Sequence, residues 1–92
     1  MKITLAPADP QPVATIEKII LNYKEIGTVR PWVHKEGHFY AGLDLALSGH
    51  SFYCGGVGPS KEESIRKSAE NGLETAKAAV ASLEQILTDL EA

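Results

Sequence analysis

Residues 61–91 contain no proline and a single glycine, Gly72. An unbroken helix over this stretch would be about 45 Å long. In a chain of 92 residues such a helix exceeds what a small sheet can cover. Its start is marked by Ser60 and Glu63, a pair spaced to satisfy exposed amides reciprocally as a capping box. Ala69, Leu73, Ala76, Val80, Leu83, Leu87 and Leu90 then follow at alternating spacings of four and three, a heptad seam. Alanines at its start are small enough to lie close on a sheet. Val80, Leu83, Leu87 and Leu90 stand beyond the reach of a small sheet and are the expected partner interface. They either fold back on an earlier helix of the same chain or meet a second chain, as in a homodimer.

The earlier part of the chain divides at its prolines. Pro7, Pro10 and Pro12 remove backbone donors, so residues 1–12 are read as an extended lead-in and residues 13–92 as one α+β domain. Ile16, Ile19, Ile20 and Tyr23 recur at helical spacing with Gly27 placed as a C-terminal cap, which predicts a helix over 13–26. A strand is expected over 28–33, and Pro31 assigns it to an edge or a bulge. Over 39–47, Phe39, Ala41, Leu43, Leu45 and Leu47 alternate with their neighbours in the period of two of a half-buried strand. Ser48-Gly49 supplies a turn, and residues 51–56 return with Phe52 and Cys54 on one side. The expected order is helix, three-stranded antiparallel sheet, long C-terminal helix (α-β-β-β-α).

With 43% hydrophobic and 23% charged residues, the composition is that of one folded domain. Cys54, the only cysteine, has no internal disulfide partner, which favours a reducing compartment, by default the cytoplasm. After Met1-Lys2 the apolar run is too short for an export signal, and no window approaches the ~20 apolar residues of a membrane span. Net charge is −3. Lys77 is the single base after residue 67, against Glu70, Glu74, Glu84, Asp89 and Glu91. That balance argues against binding nucleic acid mainly through counterion release.

Phe39, the Ser48-Gly49 hairpin, Gly56-Val57-Gly58-Pro59-Ser60-Lys61, and Ser68-Ala69 leading to Leu73 together resemble the double-stranded RNA-binding domain. The resemblance implies the α-β-β-β-α fold and phosphate contacts from Lys35, His38, Ser60 and Lys61. The chain departs from the family where a lysine-rich cluster would open the last helix, since Lys61 is followed by Glu62, Glu63, Ser64 and Ile65. The expected target is therefore a protein complex or a ribonucleoprotein and not naked duplex. Gly58-Pro59-Ser60-Lys61-Glu62-Glu63-Ser64 also resembles the helix start of a small antitoxin family, whose members usually begin with a strand, whereas this chain is read as beginning with a helix. A third reading, from compactness and acidity alone, is an inhibitor of host defence of the anti-CRISPR kind.

Catalytic and metal chemistry find little footing. His34, His38, His50 and Cys54 have metal-ligand identities, but strand residues four apart stand about 13 Å from each other, whereas zinc ligands converge to about 2 Å. Cys54 falls mid-strand on the expected core face, where a thiol is inert packing. Residues 55–61 lack the spacing of a nucleotide P-loop. No cofactor, metal or small-molecule substrate is expected, and Trp32, Tyr40 and Tyr53 are the aromatics that alternation leaves outside. The sequence reads as a non-enzymatic binding protein.

Overall fold

The computed structural model describes residues 3–7, 16–47 and 49–91. Its strands are Ile3–Pro7 (β1), Glu17–Leu21 (β2), Lys24–Pro31 (β3), Phe39–Leu47 (β4) and His50–Gly58 (β5). They form one antiparallel sheet in the order β1-β2-β3-β4-β5 and are followed by one helix, Lys61–Glu91 (α1).

This overturns the expected three-stranded sheet with an N-terminal helix. Residues 17–31, of which 17–26 fall in the expected helix, form the β2–β3 hairpin, and residues 8–15 lie outside the described residues. Ile16, Ile19, Ile20 and Tyr23 satisfy a helical period, but Glu17, Ile19 and Leu21 also alternate with Lys18 and Ile20, and β-branched residues favour the strand. The turn decides between them. Asn22 and Tyr23 have φ of 52° and 65°, the left-handed pair that a two-residue hairpin loop requires and that a continuing helix forbids. Gly27 is not a helix cap; it sits in mid-strand opposite Ile19 and Leu43.

Ile19 pairs with Gly27 and Ile20 with Glu25, so Ile26 is the extra residue of a β-bulge and turns into the core. Pro31 ends β3 rather than marking an edge strand. Trp32 N–H donates to the His38 carbonyl on the β4 side (2.9 Å), so by alternation the Pro31 nitrogen faces the other way, where β2 has already ended at Glu17 opposite Val29. The missing donor costs nothing there. Residues 3–7, within the proposed lead-in, pair along β2 from Ile3 opposite Leu21 to Pro7 opposite Glu17.

The two faces of the sheet differ. One carries Ile19, Ile26, Val29, Ala41, Leu43 and Cys54, which form the core, with Leu21, Phe39, Leu45, Phe52 and Ile65 of α1 packed against it. α1 crosses this face over β5 and β4, antiparallel to β5. Its buried positions are Ser64, Ser68 and Gly72, four apart. They face Gly58, Gly56 and Cys54, which share one side of β5. A Cβ added at Gly58 would stand 2.8 Å from Ser64 N, one at Gly56 2.7 Å from the Lys67 carbonyl carbon, and one at Gly72 2.8 Å from Cys54 Sγ. Backbone therefore lies almost on backbone, and of the two seam alanines expected in this role Ala69 is exposed and Ala76 half-buried. The buried hydroxyls are satisfied: Ser64 Oγ donates to the Lys61 carbonyl (2.7 Å) and Ser68 Oγ to the Cys54 carbonyl (3.0 Å). Asn71 Nδ2 donates to the Gly55 carbonyl (2.9 Å), adding a second bond from helix to strand.

Among the described residues no helix is long and apolar enough to cross a membrane. The contact geometry predicts that Gly56→Ala destabilises the fold by about 1–3 kcal/mol through overpacking. Alanine is otherwise the better strand residue by about 0.5–1 kcal/mol, so the sign of the change is diagnostic. Chemical denaturation followed by circular dichroism measures it, and an unchanged or raised midpoint would show that helix and strand are not held this closely.

Candidate functional site

The helix outruns its support. Ala76 is half-buried, and every described residue after it is exposed. The molecule measures 59 × 28 × 22 Å, its long dimension set by the overhanging part of α1. On that overhang Val80, Leu83, Ile86, Leu87 and Leu90 are 54%, 60%, 54%, 62% and 77% exposed. The four residues named as a partner interface are thus brought onto one uncovered stripe, with no earlier helix among the described residues for them to fold back on. Ile86 extends the stripe beside Leu87 and was missed because it lies just off the heptad seam.

The stripe does not stop where the sheet begins. Leu73 and Ala76 continue it into an apolar cleft of about 290 Å³ between α1 and the β4–β5 hairpin, lined also by Leu43, Leu45, Phe52 and Cys54. Leu73 is 60% exposed even though it forms this wall. Stripe and cleft make one apolar surface, while Lys77, Glu84 and Glu91 run along one flank of it. Each large side chain left in water forgoes about 1.5–3 kcal/mol of burial.

The proposed nucleic-acid residues gather at the opposite end of α1. Phe39 pairs with Gly58, so the β3–β4 loop holding Lys35 and His38 and the helix start holding Ser60 and Lys61 lie at the same end of the sheet. Most are occupied. Lys61 Nζ bonds Glu17 Oε1 at 2.6 Å and stands 5.9 Å above the Phe39 ring. Ser60 Oγ accepts from Glu63 N–H (3.1 Å), the forward half of the capping box. Arg66 is held by Glu62 and Glu63 at 3.4 and 3.3 Å. His38 keeps Nδ1 buried with no partner among the described residues, and Lys35 is exposed on the loop. Trp32 is half-buried and meets His34 edge-on, with ring centroids 5.3 Å apart. Among the described residues no group of His, Cys, Asp or Glu is arranged to hold a metal.

On the face away from α1, Tyr40 and Tyr53 lie across the glycines of each other's strands, Tyr40 over Gly55 and Tyr53 over Gly42. Their hydroxyls are hydrogen-bonded to each other, and the Arg30 guanidinium stands 5.6 Å from the Tyr40 ring centre. The bond from Tyr40, followed by partial burial, raises the Tyr53 pKa above its ordinary value, while Arg30 pulls the other way. A raised phenol pKa stabilises the fold below the ordinary value of about 10, and that contribution is lost as pH rises through the folded-state value. Tyr40→Phe should therefore shift the Tyr53 titration, followed by tyrosinate absorbance, toward lower pH; an unchanged titration would show that the Tyr40 hydroxyl is not the cause.

No protein-family model, no curated protein and no solved structure matches the chain.

Proposed function

We propose that the chain is a non-catalytic protein-binding module: the sheet and the first half of α1 form a rigid platform, and residues 73–90 of the same helix are its docking surface. The observation that carries this reading is the uncovered apolar stripe of Val80, Leu83, Ile86, Leu87 and Leu90 on a helix that runs past its own sheet. Heptad spacing suits such a stripe to another helix laid alongside it. The partner is a protein and not naked nucleic acid, because Lys61 and Arg66 already serve carboxylates of this chain and the overhang is acidic. An inhibitor that blocks a protein complex would use the same stripe.

The test is the double variant Leu83→Glu, Leu87→Glu, compared with wild type at concentrations low enough for both to be monomeric. It should retain the far-ultraviolet spectrum and, within a few degrees, the melting temperature of the wild type, because the overhang touches nothing in the platform. At high concentration it should lose the self-association expected of wild type. Unfolding of the dilute variant would place the stripe in the domain's own core and end the proposal.

A further inference from the structure

The occupant of the stripe can be read from the stripe itself. We infer that it is a second copy of this chain, with residues 73–90 of the two helices antiparallel and Leu73 of each facing the partner's Leu90; this rests on the docking role proposed above.

The pattern from Leu73 to Leu90 complements its own reversal. In that register Leu73 meets the partner's Leu90, Ala76 the partner's Leu87, and Val80 the partner's Leu83, and the two-fold axis repeats all three. Ala76, the one small residue of the seam, stands opposite Leu87. Beside the seam, Lys77 falls against the partner's Glu84 twice over, and Ile86 lies across the partner's Ala79. The unfavourable neighbours, Glu70 and the partner's Glu91, sit at the ends of the paired segment, where solvent screens them.

Other pairings lose these matches. In a parallel pair, knobs-into-holes geometry brings Glu84 beside the partner's Ala79 and Glu91 beside its Ile86, so no opposite charges meet, and both sheets crowd the same end. An antiparallel pair slid by one heptad keeps Lys77 against the partner's Glu91 but sets Glu84 against the partner's Glu84 and leaves Leu73 and Ala76 bare. The proposed register alone carries the partner's Leu90 to the mouth of the cleft walled by Leu45, Phe52, Leu73 and Ala76. It covers stripe and cleft in one contact and leaves the sheets at opposite ends of the pair.

Spin labels on Thr75→Cys and, separately, Thr88→Cys read the register directly. Both positions are exposed, and native Cys54 is buried and stays unlabelled. Counted along the helix axis, each label lies about 20 Å from its mate in the proposed register, at both sites. The slid register gives about 30 Å at residue 75 and about 9 Å at residue 88, and a parallel pair gives two short distances. Equal intermediate distances are the expected result. Sedimentation supplies the second arm: Lys77→Glu should weaken the dimer about tenfold, and adding Glu84→Lys should restore it. A wild type that stays monomeric at several hundred micromolar, unequal distances, or a charge swap that fails to rescue would overturn the inference. Monomeric wild type would leave the docking role itself to the leucine variants above, which separate the two failures.

Discussion

The fold depends on how closely α1 approaches β5. Ser64, Ser68 and Gly72 offer almost no side chain, and Gly58, Gly56 and Cys54 offer little more, so the helix backbone settles onto the strand until backbone atoms are in contact. Dispersion falls steeply with distance, which makes this short contact effective despite its small apolar area. The larger side chains take the remaining space to one side: Ile65 reaches the core, and Ile19, Ile26, Val29 and Leu43 fill it from below. Two helix-to-strand hydrogen bonds, from Ser68 and Asn71, fix the helix along β5. The salt bridge of Lys61 to Glu17 ties the helix start across to β2.

What could be read from the sequence follows the strength of each local signal. The helix over 61–91 was legible because capping and composition agree over its whole length, and the β4–β5 hairpin because alternation and a turn coincide. The β2–β3 hairpin was not. Ile16, Ile19, Ile20 and Tyr23 keep the helical period while Glu17, Ile19 and Leu21 keep the extended one, and the decision falls to Asn22 and Tyr23, a pair lacking the glycine that usually announces such a turn. A bulge at Ile26 further blurs the alternation of β3.

The candidate site was legible in part for a similar reason. Large residues at heptad spacing name a seam whatever the fold around them, so Val80, Leu83, Leu87 and Leu90 stood out. The apolar cleft was hidden because Leu43, Leu45 and Phe52 come from another part of the chain and meet Leu73 only in three dimensions. Serine at 64 and 68 reads as solvent-facing surface, although both are fully buried. The phosphate-binding reading failed to see that Lys61 would find Glu17, a residue assigned to a helix that does not form.

One continuous helix serves both as the lid of the core and as the overhang, and this fixes a phase. The azimuth at which the leucines point is set by Ser64, Ser68 and Gly72, because nothing between them and Val80 can swivel independently. A single residue gained or lost between residues 76 and 80 would turn the whole stripe by about 100° about the helix axis while changing neither platform nor stripe. Seven residues would nearly restore it. The spacing between the two halves of α1 is therefore under a constraint separate from the identity of any residue in it, and sequence drift there should conserve length more strictly than composition.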